Sequence, residues 1–209
     1  MKDIYIFGAS GYARETAFII QELKFNIKAF IDIKSNDVEI SINEFSYPVI
    51  SEDSFYDLCL NNNICAVIAI ADTNTTEKII FRFQGICEFP NIIHPSSNLY
   101  GSYNIGEGNV ISYNCVFTDN IKIGSFNRFN IGITVGHDVT IGNNNQFNPS
   151  SNISGNVTIE NNNLFGVNSV VLQGLNLCSN NIIGASSLVV KNISKAGTYI
   201  GIPAIKFNY

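Results

Sequence analysis

From Ile93 onward the chain repeats itself every six residues. Stepping by six from Ile93 through Ile111, Phe129, Phe147 and Phe165 to Val189 meets Ile, Leu, Val or Phe at every position. With 45% of all residues hydrophobic, chance yields such a run on the order of once in a hundred thousand trials, even with six frames allowed. Six residues make one short strand and one turn, and three such units close a triangular coil of about eighteen residues. The recurring large side chain points into the prism and stacks on its equivalents above and below. Glycine often follows it (Gly106, Gly124, Gly136, Gly142, Gly166, Gly184), and an apolar residue often stands two places before it, as in Ile121, Ile133, Val139 and Val157. Asparagines and glycines are expected at the corners, where positive φ costs them little. Asn143-Asn144-Asn145 and Asn161-Asn162-Asn163 therefore read as turn chemistry. The unbroken pattern gives about five to six coils, with no long loop leaving the prism. The fold expected for this half is a left-handed parallel β-helix.

The first half follows a different rule. Asp3 to Phe7 reads as a buried strand, Gly8-Ala9-Ser10-Gly11 as a tight turn and Tyr12 to Leu23 as an amphipathic helix. A second strand, Ile27 to Ile31, ends at Asp32, about twenty residues beyond the glycine turn, where nucleotide-binding folds place a ribose-binding carboxylate. Ala66 to Ile70 reads as a third strand, followed by Ala71-Asp72-Thr73-Asn74 and a helix from Thr75 to Phe83. The pattern is that of a Rossmann-like α/β unit. Its glycine spacing is G-x-x-G with Ala13 as the third small residue, short of the full dinucleotide fingerprint. Three readings of the turn stay open: full dinucleotide binding, backbone N–H groups and a helix N-terminus holding the diphosphate of a mononucleotide, or plain close packing of helix on strand. Asp32 likewise reads as a ribose ligand or as a solvated strand end. The expected organisation is an α/β domain over 1–90, the β-helix over 91–192 and a C-terminal tail over 193–209.

The length of 209 residues with only 14% charged side chains suits a well-buried globular core. A net charge of −5 offers no basic surface to nucleic acid or anionic membrane. No apolar run is long enough for a signal peptide or a membrane span, so a cytoplasmic protein is expected. The cysteines, Cys59, Cys65, Cys87, Cys115 and Cys178, are odd in number and scattered, and read as reduced small hydrophobes. Histidine occurs twice, at His94 and His137. His137 follows the inward Val135 by two and so stands near a corner, able to point outward. His94, before Pro95 at the junction of the halves, reads as structural.

The opening Gly8-Ala9-Ser10-Gly11-Tyr12-Ala13-Arg14-Glu15, the Ile93-His94-Pro95 junction, the prism and the closing Gly197-Thr198-Tyr199-Ile200-Gly201-Ile202-Pro203-Ala204 together resemble the sialic-acid O-acetyltransferase family. Its members include N-acetyltransferases of nucleotide-linked 4-amino sugars. The resemblance covers nearly the whole chain and keeps the order of its parts. It implies a histidine general base followed by an acidic residue, which Gly136-His137-Asp138 matches; some members carry glutamate where Asp138 stands. It further implies acetyl-CoA in the groove between two prisms of a homotrimer, near Gly155, Val167 and Ala185. Gln146 falls where relatives have another cofactor-contacting histidine. The nucleotide of the sugar substrate would rest on Gly8, Ser10, Gly11 and Asp32, with the Asp72-Thr73 turn close to the base. Acetyl would then pass directly to an amine, His137 taking its proton. O-acetylation of sialic acid or a related sugar uses the same base and cofactor, and a non-catalytic nucleotide-sugar binding protein would keep the same folds. No metal is expected: a hexapeptide-type carbonic anhydrase needs three zinc histidines, and the chain has two.

Overall fold

The computed structural model describes residues 2–32, 38–60 and 64–207. The chain divides into two compact units, Met1–Ile92 and Ile93–Tyr209.

In the first unit the apolar runs become β1 (Asp3–Phe7), α1 (Gly11–Glu22), β2 (Asn26–Ile31), β3 (Glu39–Ile42), β4 (Phe45–Ile50), α2 (Glu52–Cys59), β5 (Cys65–Ile68) and α3 (Thr73–Phe83). The sheet runs β3-β4-β2-β1-β5. β4, β2, β1 and β5 are parallel, and β3 pairs antiparallel with β4. Ile4, Ile6, Phe7, Ala66 and Val67 are fully buried, as a parallel strand covered on both faces requires. Under the sheet the rings of Phe7, Phe55 and Phe83 meet with centroids 5.0 to 5.4 Å apart. The β3–β4 hairpin and α2 were not expected from apolar periodicity. β4 contains Pro48 and has no fully buried residue, which tertiary pairing overrides. α2 did carry a local signal: Ser51 accepts from the Ser54 N–H at 3.1 Å, with Glu52 and Asp53 in the first turn. α3 starts at Thr73 rather than Thr75, because Asp72 acts as its cap.

The second unit is the expected prism, a left-handed parallel β-helix with three faces of six, five and eight strands. Each residue pairs with the one eighteen places on, as in Val116 with Thr134, Thr140 with Thr158 and Phe147 with Phe165. From Ile111 to Val189 every sixth residue is buried, while Ile93, Leu99 and Ile105 are partly buried in the first coil. Phe129, Phe147 and Phe165 stack almost parallel, with centroids 4.7 and 4.6 Å apart. The segment after residue 192 adds two strands to the eight-stranded face: Gly197–Ile200 runs parallel beside Asn181–Ile183, and Ile205–Phe207 returns antiparallel.

The corners correct one expectation. Left-handed backbone recurs every six residues from Gly108 through Asn114, Asn120, Asp138, Asn144 and Asn162 to Ser186, and asparagine carries half of these turns. The glycines that follow the inward residues are not left-handed. They serve close approach between coils: a Cβ on Gly142 would lie 2.9 Å from the backbone of Glu160, and one on Gly166 would lie 2.4 Å from the Ala185 nitrogen. The asparagine triplets also do more than turn. Asn109, Asn127, Asn145, Asn163 and Asn181 are buried along one corner, each Oδ1 from Asn109 to Asn163 accepting both the backbone and the side-chain N–H of the next at 2.9 to 3.1 Å. Such a ladder satisfies polar groups that burial would otherwise penalise.

Candidate functional site

Two regions collect the candidate residues, one in each unit. In the prism, the strand Thr134–Val135 on the six-stranded face turns into Thr140–Ile141 on the five-stranded face, and His137-Asp138 forms that corner. Val135 points inward, so the next outward side chain is His137; its side chain is 58% exposed and that of Asp138 50%. His137 Nδ1 lies 2.8 Å from Asp138 Oδ2. Asn120, at the corner one coil earlier, donates from Nδ2 to Asp138 Oδ1 at 2.6 Å. The bonds from His137 and Asn120 hold the Asp138 carboxyl below the usual carboxylate range. A neutral imidazole that donates Nδ1–H to this carboxylate keeps its lone pair on Nε2.

That nitrogen faces the next coil. A Cβ on Gly155 would come within 2.7 Å of His137 Nε2 and 2.8 Å of Cε1, so glycine is what makes room for the ring. The Gly155 carbonyl accepts from the Gly174 N–H at 3.1 Å, and its own N–H finds no acceptor among the described residues. The exposed imidazole, its carboxylate partner and the buried glycine that makes room for the ring thus meet at one edge of the prism.

Val167 and Ala185 stand on a different edge, between the eight- and six-stranded faces. There Ile131, Pro149, Val167 and Ala185 follow at intervals of eighteen, with Ile131 45% and Val167 49% exposed. This apolar ledge and the His137 edge are the two borders of the same six-stranded face. Gln146 lies just before the ledge on the eight-stranded face, paired between Arg128 and Leu164, its Nε2 donating to Asn148 Oδ1 at 3.0 Å. It does not lie beside His137.

In the α/β unit the strand ends bring Gly8, Ser10, Gly11, Asp32, Asp72 and Thr73 to one end of the sheet. The chain leaves β1 toward β2 on one side and returns to β5 on the other, so the crevice beyond β1 and β5 is a topological switch point. Gly8 has φ 103, and a Cβ there would lie 2.8 Å from the Ala69 carbonyl oxygen; packing alone requires this glycine. Gly11 differs, since nothing lies within 4 Å of its would-be Cβ. Ser10 is the N-cap of α1 but makes no side-chain cap bond, and the first turn has no acidic residue. The helix therefore presents N–H groups and a partial positive charge at its start. Asp32 follows β2, its N–H bonded to the Ile50 carbonyl at 3.1 Å. Asp72 accepts from the Thr75 N–H and hydroxyl at 2.7 and 2.6 Å, which makes it the α3 cap, with Thr73 the first helical residue.

His94 is buried, accepts at Nδ1 from the Ser96 N–H at 3.0 Å and lies against Tyr113 with centroids 3.9 Å apart. The five cysteines are outside any disulfide; Cys59, Cys65 and Cys115 are buried, Cys87 and Cys178 half-buried. Sequence reasoning missed Asn120 and the ledge begun by Ile131 and Pro149. The eighteen-residue interval leading to Asp138 and to Val167 was the signal that could have found both.

Residues 3–83 match the PglD N-terminal domain family. No curated protein sequence matches the chain. Among solved structures, a variant of the perosamine N-acetyltransferase from Caulobacter crescentus, in complex with CoA and GDP-perosamine, is 22% identical with a TM-score of 0.90, over 100% of this chain and 98% of that one. WeeI from Acinetobacter baumannii AYE is 26% identical with a TM-score of 0.86, over 99% and 100%. The acetyltransferase domain of PglB from Neisseria gonorrhoeae FA1090, in complex with acetyl coenzyme A, is 22% identical with a TM-score of 0.86, over 99% of each chain. Residues 3–83 thus carry a PglD-type N-terminal domain, and over its whole length the chain shares the fold of these acetyltransferase structures.

Proposed function

We propose that the protein is an acetyl-CoA-dependent N-acetyltransferase acting on the amino group of a nucleotide-linked 4-amino-4,6-dideoxy sugar. The observation that carries this reading is the His137 imidazole, anchored through Nδ1 to Asp138, with Nε2 lying over Gly155 of the next coil, where any side chain would displace it. The ligands of the Caulobacter and Neisseria relatives, CoA with GDP-perosamine and acetyl-CoA, support the substrate class.

The amine lone pair adds to the thioester carbonyl carbon, and the oxygen becomes an oxyanion that the Gly155 N–H stabilises. His137 Nε2 takes the proton that the nitrogen sheds, because a protonated amine has no lone pair to attack with. Asp138 stabilises the resulting imidazolium. Collapse of the intermediate breaks the C–S bond, forms the amide and releases CoA, whose sulfur receives the proton from the imidazolium. No acyl-enzyme is needed.

Acetyl-CoA would lie between the His137 edge of one subunit and the Val167–Ala185 ledge of the next in a homotrimer, with Gln146 near its path. The placing of these two edges along opposite borders of one face supports that arrangement, since cyclic association sets one border against the other. The nucleotide would rest at the switch point, its diphosphate on Gly8, Ser10 and Gly11 and its ribose on Asp32, with Asp72-Thr73 flanking the crevice. A cytoplasmic location follows from the need for acetyl-CoA.

The test is release of free thiol from acetyl-CoA with UDP-, dTDP- and GDP-linked 4-amino-4,6-dideoxy sugars, with sialic acid in parallel. Turnover with one amino-sugar nucleotide, lost by at least about a hundredfold in His137→Ala while acetyl-CoA still binds, is the expected result. Activity retained in that variant sinks the mechanism, and turnover with sialic acid alone replaces the amine acceptor with a hydroxyl.

A further inference from the structure

The corner that carries the base is held from below by a residue that the transfer chemistry does not itself require. Asn120 occupies the position one coil before Asp138, and both have left-handed backbones, φ 53 and φ 58. An asparagine at such a corner can reach its successor eighteen residues on: at a neighbouring corner Asn144 Nδ2 donates to Asn162 Oδ1 at 2.9 Å. At the catalytic corner the successor is a carboxylate, and Asn120 Nδ2 meets Asp138 Oδ1 at 2.6 Å while Oδ2 meets His137 at 2.8 Å. Each carboxylate oxygen therefore has one fixed partner. Asp138 is half exposed, so without a second tether water competes for it and the carboxylate turns away from the ring.

We propose that Asn120 is a positioning residue for the transfer: it fixes the rotation of Asp138 and through it the tautomer and direction of His137. The proposal rests on His137 being the base. Asn120 also borders Asp119, whose carboxylate accepts from the Ser102 N–H at 2.8 Å, so it stands between two negative groups on the same edge. An aspartate in its place would keep the size and the left-handed turn yet face Asp138 with an acceptor.

Having two histidines in the chain makes the direct test simple. In long-range proton–nitrogen spectra of the full-length protein, His137 should carry its proton on Nδ1. His94 should show the opposite tautomer, because its Nδ1 accepts from Ser96. In Asn120→Gly, which keeps the turn, and in Asn120→Asp, the His137 signals should move toward a mixture of tautomers with those of His94 unchanged. The same variants should lose on the order of tenfold in kcat, with KM for acetyl-CoA within about twofold of wild type. Unchanged His137 signals in both variants overturn the proposal. So does a shifted tautomer with kcat within about twofold of wild type. A wild-type protein silent toward every acceptor brings down the acetyltransferase reading instead, and the spectra then still decide whether Asn120 sets the ring.

Discussion

The two units bury parallel sheets by opposite means. The prism uses one contact many times over: the phenyl stack, the asparagine ladder and the aliphatic corners all repeat at eighteen residues, so each coil is braced by copies of itself. The α/β unit uses contacts that occur once, such as the Phe7, Phe55 and Phe83 cluster and the close passage of Gly8 beneath Ala69. In a repeat, a residue recruited for chemistry shows as a departure. The coil equivalents of His137 are Asp119 and Gly155, so the imidazole stands out from its column. In a unit without repeats, a residue kept for binding looks the same as one kept for packing.

That contrast can be broken by substitution. Phe147→Ala removes the middle ring of the stack and should cost about 3–5 kcal/mol, read as a fall in the denaturation midpoint. A loss below about 1 kcal/mol would mean that the stack closes up and the repeat is softer than it looks. Asn145→Ala strips partners from Asn127, Asn163 and the Glu160 carbonyl at once and should cost about 2–4 kcal/mol. Asn180→Gly, at an exposed left-handed corner further along, should stay within about 0.5 kcal/mol. In the α/β unit, Gly8→Ala should destabilise by about 1–3 kcal/mol whether or not a ligand binds. Gly11→Ala has open space around it and should change stability by less than about 0.5 kcal/mol; if Gly11 approaches the diphosphate, the same change weakens nucleotide-sugar binding. A Gly11→Ala protein with both stability and binding intact would remove Gly11 from the site.

The smallest effect is expected from pH. Asp138 and Asp119 have carboxyl groups held below the ordinary value of about 3.9. Their contribution to stability is complete above that value and is lost as pH falls through the depressed folded values. The melting temperature of wild type and Asp138→Asn should therefore run parallel above about pH 5 and converge only in stronger acid, by a modest amount because both groups are exposed.

Much of this was legible in the sequence because the prism is written in period six. Inward residues, corner positions and the exposure of His137 all followed from counting. The separate tasks of glycine and asparagine did not, because both residues tolerate positive φ and only the distance between coils tells close approach from turning. Asn120 was hidden for a related reason: its partner lies eighteen residues away, and a lone asparagine among many carries no mark. In the α/β unit the first strand, turn and helix could be read from apolar runs, but β4 could not, since it is held by its neighbours rather than by its own side chains. Gly8 and Gly11 looked alike in sequence, and only the space around each separates a packing glycine from one that leaves a surface open.

The returning strand at the end of the prism has a further consequence. A stack of identical parallel coils is a one-dimensional lattice, and nothing within the repeat says where it must stop. The antiparallel run Ile205–Phe207 reverses direction on the outermost strand, so on that face another parallel coil finds no matching row of donors and acceptors. On that face the hairpin opposes the end-to-end addition of layers that a self-complementary repeat would otherwise permit.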